Sequence, residues 1–308
     1  MMKFLLQFYI LFFLIFSLAS CEKKQDSGRF KVVATTTMIA DLVKNIGKDS
    51  IEVVGLMKAG VDPHLYKASE GDVTKLTTAN AIFYNGLHLE GKMVDVFEKM
   101  QKSGFQTFAI SNGIPKENLV SSVNFSGNYD PHIWFSVENW KFSAQYISKK
   151  LSELKPDSKS YFDQNLKNYL TELNSLENQL KTKAETLPKE KRILITAHDA
   201  FEYFGREYDF EVVGLQGIST ASEAGTKDLL ELANIIVNKK VPAVFIESSV
   251  PQRTVLALQK AVESKGKKVK LGGTLYSDAL GNPNSPQGTY IGMYQSNMET
   301  IVKALHDK

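Results

Sequence analysis

Cysteine is nearly absent from this 308-residue chain, which has one, Cys21. A single thiol excludes an internal disulfide framework and any cysteine-rich zinc or iron–sulfur site. Proline and glycine are scarce as well, at 9 and 20 residues. That scarcity, with a hydrophobic content of 43%, excludes collagen-like and disordered chains as the main state. No surplus of one charge exists. The 37 basic residues face 34 acidic ones, for a net charge of +3, so no nucleic-acid partner is expected. Also missing is an apolar run of about 20 residues, the length needed to span a bilayer as a helix. At about 100–200 residues per domain, the length suits two domains or one large one.

What is present begins at the N-terminus. Met1-Met2-Lys3 carries one positive charge, and Phe4–Phe16 is apolar except for Gln7. This run is too short to span a membrane and fits the h-region of a secretory signal. Leu18-Ala19-Ser20-Cys21 follows. It resembles the bacterial lipobox, in which small residues admit the peptidase and the cysteine thiol takes a diacylglycerol. Residues 1–20 are therefore expected to be a lipoprotein signal peptide, with lipidation at Cys21. Residues 21–30, polar and charged, would form the tether. The mature protein would be a body outside the cytoplasm, held to the membrane by a lipid anchor. That places it in the periplasm or on the outer face of the cytoplasmic membrane.

Strand and helix patterns alternate in the first half. Strands are predicted at Lys31–Thr36, Ile51–Met57, Ala81–Tyr84 and Thr107–Ile110, and helices at Ile39–Ile46, Glu70–Thr78 and Met93–Met100. The middle differs. Phe162, Leu166, Tyr169, Leu170, Leu173, Leu176 and Leu180 fall mostly at steps of three and four, with no Gly or Pro from Asp157 to Leu187. This predicts one long helix of about 27 residues, roughly 40 Å. Alternation resumes from Arg192–Thr196 and ends with a helix at Met293–Leu305. The expected fold is α/β. Two lobes, 31–154 and 189–308, would each hold a mainly parallel sheet flanked by helices, and one long rigid helix, within 155–188, would join them.

Five histidines are spread over this frame. His64 stands in Asp62-Pro63-His64 and His132 in Asp130-Pro131-His132. Proline fixes its own φ and restricts the residue before it, so each imidazole sits on a stiff loop. His198 lies at the end of a predicted strand, and Asp278 just after the last one. The ends of parallel strands are where α/β sheets bind ligands. Singly, each has a simpler reading: a loop histidine bonded to backbone, or, for Asp278 and Asp199, a helix N-cap. Jointly, three imidazoles and a carboxylate suit a first-row transition metal. His88, in Asn85-Gly86-Leu87-His88-Leu89-Glu90, is read as a packing or surface residue, and His306 as part of an inert tail.

The motifs just quoted resemble a known family when joined to Leu65-Tyr66, Ile133-Trp134, His198-Asp199-Ala200-Phe201-Glu202-Tyr203-Phe204 and Tyr276-Ser277-Asp278-Ala279-Leu280-Gly281. The chain is similar to the cluster A-I (cluster 9) solute-binding lipoproteins of bacterial zinc and manganese ABC transporters, the TroA-like receptors. The resemblance covers essentially the whole mature chain. It implies two α/β lobes on a rigid helix with a metal buried between them. By position, its ligands carry over to His64, His132, His198 and Asp278. Many manganese receptors of the family have glutamate where this chain has His198. Many zinc receptors carry a long His- and Asp-rich loop after the first ligand, whereas here Leu65–Glu70 leads straight into a helix.

The expected function is capture of one divalent metal ion, Mn2+ or Zn2+, and its delivery to an ABC permease and ATPase by a monomeric receptor. Three imidazoles favour zinc, and a bidentate carboxylate helps manganese. Manganese is the expected cellular cargo, with zinc binding more tightly in vitro. The rival is a secreted metallohydrolase, which needs an open coordination position and a general base. No His-Glu-x-x-His run exists, and Glu202, four residues after His198, is read as an exposed helix position. A role as a surface adhesin would be a second function, on which the residues are silent.

Overall fold

A computed structural model describes residues 28–306 apart from 123, 124 and 126–128. Cys21, the signal peptide and most of the tether lie outside the described residues.

The first lobe is built on four parallel strands. They are β1 (Phe30–Ala34), β2 (Ile51–Gly55), β3 (Ala81–Tyr84) and β4 (Thr107–Ala109), in the order β2-β1-β3-β4. Parallel neighbours require crossovers. Helices α1 (Thr37–Gly47), α2 (Glu70–Thr77) and α3 (Val94–Lys102) lie in these connections. Thr36 caps α1 by accepting the Ile39 N–H at 3.3 Å, so β1 passes into a helix within three residues. Ser69 and Asp72 form a reciprocal capping box on α2.

Helix α4 (Val137–Leu154) was not foreseen, although Trp140, Ala144, Ile147 and Leu151 repeat at steps of four and three and are all buried. Polar residues at the remaining positions dilute that period. The long helix α5 (Lys159–Glu185) has the predicted 27 residues. It buries Phe162, Tyr169, Leu173, Leu176, Leu180 and Ala184 against α1, α4 and the last helix of the chain.

The second lobe runs β5 (Ile193–His198), α6 (Glu202–Tyr208), β6 (Glu211–Gln216), α7 (Thr226–Lys239), β7 (Ala243–Glu247), α8 (Arg253–Ser264), β8 (Lys270–Leu275) and α9 (Tyr290–His306). Its strands pair in parallel as β5-β6 and β7-β8. Between β5 and β7 the ladder is replaced by a side chain, since the His198 N–H donates to Glu247 Oε1 at 2.9 Å.

α9 ties the end of the chain to its beginning. The Tyr290 and Tyr294 hydroxyls donate to the carbonyls of Trp134 and Phe135 at 2.8 and 2.6 Å, and the Tyr290 N–H donates to Asp41 Oδ2 at 3.0 Å. One apolar core therefore passes through both lobes, from Val32 and Leu42 through Trp134 and Trp140 to Phe201 and Phe204. Phe135 and Phe201 stack at 4.3 Å within it. Burying aromatic rings of this size contributes about 1.5–3 kcal/mol each. Among the described residues no helix is long and apolar enough to cross a membrane.

Candidate metal centre

The two Asp-Pro-His triplets fold alike. Asp62 Oδ1 accepts the His64 N–H at 2.8 Å, and Asp130 Oδ1 accepts the His132 N–H at 2.9 Å. Each is an aspartate bonding the backbone two residues on, around a proline whose φ is already fixed. The repeated motif is thus a repeated local structure. Asp130 Oδ1 also lies 2.7 Å from His132 Nδ1. In the second lobe, His198 is the last residue of β5, and its Nδ1 is 2.6 Å from Glu247 Oε2.

Asp278 follows β8 in a segment that forms no strand or α-helix before α9, apart from a short 3-10 turn at Pro286–Gly288. Near the ligand, residues 277–280 are buried. Trp134 Nε1 donates to the Ser277 carbonyl at 2.9 Å, Leu280 N donates to Thr37 Oγ1 at 2.8 Å, and Ser249 Oγ donates to Asp278 Oδ2 at 3.1 Å. Two of these three donor–acceptor pairs reach across to the first lobe. Side-chain partners this distant in sequence leave no periodic signal.

The four side chains converge. His64, His132, His198 and Asp278 are 2%, 0%, 0% and 1% exposed, and one ligand atom from each lies within 4.8 Å of all the others. His132 Nε2 is 3.3 Å from His64 Nε2, 3.4 Å from His198 Nε2 and 3.5 Å from Asp278 Oδ1. His198 Nε2 is 3.4 Å from the same oxygen. These are four of the six edges between the four atoms, and a tetrahedron with edges of this length has its centre about 2.1 Å from each corner, the usual range of zinc–nitrogen and zinc–carboxylate bonds. Asp278 Oδ1 is buried and has no hydrogen-bond donor on it. A buried carboxylate oxygen left free among three imidazole nitrogens fits a cation.

The charges agree. Burial pushes His64 down to about 3, with the neighbouring imidazoles adding to the effect. Burial also pulls on His132, but the Asp130 and Asp278 carboxylates overcome it and hold the ring at about 9. Glu247 and Asp278 likewise raise His198 well above its ordinary value against burial. Burial would raise Asp278, yet His198 and His132 hold it well below the usual carboxylate range. The carboxylates thus favour positive charge at this point. Asp130 and Glu247 direct Nδ1–H toward themselves, which leaves the Nε2 lone pairs for a metal and raises their basicity.

The remaining candidates fall away from this point. His88 and His306 are exposed. Glu202 is exposed too, as read, and stands in the first turn of α6. Asp199 is partly buried and is not the cap of α6, a place taken by Phe201. Asp278 caps no helix either. Sequence reasoning overlooked Glu247 and assigned no role to Asp130. A signal for Glu247 was available: it ends the apolar strand Ala243–Glu247, the same strand-end place that drew attention to His198.

Comparison with known proteins agrees with this architecture. The profile of the family described as "ZnuA: Zinc-uptake complex component A periplasmic" matches residues 32–304. The zinc-binding protein TroA of Treponema pallidum (strain Nichols) is 48% identical over 278 residues, covering 90% of this chain and 89% of TroA. The manganese-binding lipoprotein MntA of Bacillus subtilis (strain 168) is 42% identical over 297 residues, covering 95% and 96%. The solved structure of the periplasmic zinc-binding protein TroA superposes with a TM-score of 0.88 at 47% identity, covering 90% of this chain and 99% of that one. The chain belongs to the ZnuA family, among the TroA-like substrate-binding proteins of metal ABC transporters.

Proposed function

We propose that this protein captures one divalent transition metal ion, zinc or manganese, between its lobes and hands it to an ABC permease. The observation that carries this reading is the convergence of three imidazole Nε2 atoms and a donor-free carboxylate oxygen in a buried cluster. His64, His132, His198 and Asp278 are the proposed ligands. Four protein ligands close the coordination shell, which suits carriage and leaves no position for an activated water. The metal is cargo, and no catalytic step is needed. Zinc should bind more tightly in vitro, while the oxygen ligand keeps the site open to manganese as cellular cargo.

Titration of the purified, metal-stripped protein with Zn2+ and Mn2+ tests the reading. Tight binding of one equivalent is expected, abolished for both metals in the double variant His132→Ala/His198→Ala. Binding of either metal left intact in that variant would place the site elsewhere. Loss of metal-limited growth and uptake on deletion of the chain, restored by its expression, tests delivery.

Anchoring at Cys21, with removal of residues 1–20, belongs to the same proposal. Its support is the lipobox-like Leu18-Ala19-Ser20-Cys21 and the name lipoprotein carried by MntA. Cys21→Ala should release the protein from membranes without changing metal affinity. An unmodified Cys21 in the mature protein would refute it. A monomer delivering metal to permease and ATPase completes the reading. The layout of lobe, linking helix and lobe, at 31–154, 155–188 and 189–308, remains part of it.

A further inference from the structure

The motif Asn85-Gly86-Leu87-His88-Leu89-Glu90 contributes no ligand, and its histidine faces solvent. We infer that Asn85 and Glu90 are positioning residues for the metal: the turn between β3 and α3 sets where His132 stands relative to His64. The inference rests on the metal-capture reading above and extends it to residues that do not touch the ion.

Glu90 is buried with no cation among its hydrogen-bond partners. Its Oε1 accepts from Asn85 N and Thr35 Oγ1, each at 2.7 Å, and its Oε2 from Gly86 N at 3.3 Å. A carboxylate out of water is costly unless its hydrogen bonds are made, and these bonds clamp the turn to the end of β1. The clamp holds an unfavourable backbone. Gly86, Leu87 and His88 follow one another at φ of +83°, +53° and +61°. A left-handed conformation at two consecutive non-glycine residues persists only where its surroundings enforce it. Glycine is required at the first of the three, since a Cβ on Gly86 would come within 2.5 Å of Ser111 Oγ.

The clamped turn is bonded to one Asp-Pro-His loop and passes close to the other. Asn85 Nδ2 donates to the Pro131 carbonyl at 2.9 Å and to the Gly86 carbonyl at 3.1 Å. The Pro131 carbonyl belongs to the peptide that leads into His132, so His132 is held by Asp130 on one side and through Asn85 on the other. At the far end of the turn, a methyl group on Gly91 would lie 3.8 Å from the His64 carbonyl oxygen. One rigid turn thus bonds the peptide before His132 and passes beside His64, whose Nε2 lies 3.3 Å from that of His132. Loosening it should act on the metal without removing any ligand.

The test is Asn85→Ala, with the pair Thr35→Val and Thr35→Ser, in the purified protein. Three quantities are measured: Zn2+ affinity by chelator competition, the visible spectrum of the Co2+ form, and melting without metal. Asn85→Ala should weaken zinc about 10–100-fold, as loss of partners beyond the ligands typically does, and alter the Co2+ bands that report coordination geometry. Thr35→Val should shift both readouts in the same direction, and Thr35→Ser, which keeps the hydroxyl on Glu90, should restore them. Zinc affinity within about twofold of the parent and an unchanged Co2+ spectrum would overturn the inference, even if melting falls, because the turn would then be mere scaffold. Should Asn85→Ala fail to fold, the threonine pair decides: equal affinities in Val and Ser variants overturn the inference. A parent protein that binds neither zinc nor manganese would instead defeat the metal-capture reading.

Discussion

Glu247 grips His198 twice, with Oε1 on its main-chain N–H at 2.9 Å and Oε2 at 2.6 Å from its Nδ1. Main chain and ring are fixed by one carboxylate, which also closes the gap between β5 and β7. Glu247→Gln keeps the shape and removes the charge. It should weaken zinc binding by about 10–100-fold with the fold retained. Calorimetric titration, with circular dichroism as the control, checks this. An unchanged affinity would mean that the carboxylate serves only the sheet.

Asp278 supplies the one oxygen and the one negative charge among the proposed ligands. Asp278→Ala should weaken manganese more than zinc, because three imidazoles still suit zinc while manganese depends more on oxygen donors. Parallel titrations of both metals decide it. An equal loss, or a larger loss for zinc, would show that the role of Asp278 has been misassigned.

Acid should release the metal. His132 is held at about 9 and His198 well above 6.5 in the metal-free protein, so a metal taking their Nε2 atoms must displace protons near neutrality. His64, pushed down to about 3, is already neutral there and adds nothing. About one to two protons should be released per metal bound at neutral pH, and affinity should fall as pH falls. Titration calorimetry in buffers of different ionisation enthalpy counts them. Stability of the metal-free protein runs the opposite way to metal affinity. The raised His132 value contributes stability that is full below about 6.5 and lost as pH rises through about 9.

Asp41 provides a pH effect remote from the metal. Burial pushes its carboxyl up to about 6, although its Oδ2 accepts the Tyr290 N–H at 3.0 Å. A raised carboxylate binds its proton more tightly folded than unfolded, so its contribution improves as pH falls from about 6 towards 3.8. Asp41→Asn keeps an acceptor for Tyr290 and removes the charge. It should flatten the pH dependence of melting across that window and add about 1–2 kcal/mol at neutral pH. A steeper dependence in the variant would contradict this.

Much of this fold was legible in the chain because its signals are local. Ala81–Tyr84 and Ala243–Glu247 are apolar runs between turn residues, and Lys159–Glu185 is an unbroken helical period. The four proposed ligands were legible for a related reason: each stands on a proline-stiffened loop or at a strand end. What escaped was held by partners distant in sequence. Glu247 meets His198 across 49 residues, Asn85 meets Pro131 across 46, and Trp134 meets Ser277 across 143. No period or spacing marks such pairs. α4 was missed for the opposite reason, since its local signal was present but diluted by polar residues on its open face.

The joining of α9 to the first lobe bears on how the chain acquires its structure. The Tyr290–Asp41 bond spans 249 residues, and the Trp140–Tyr290 stack, at 4.9 Å, completes a core begun near the N-terminus. Contacts so remote in sequence slow folding, because a long loop must close before they form. Synthesis of nearly the whole polypeptide must precede that closure. Until that helix emerges, the core shared by the two lobes stays incomplete.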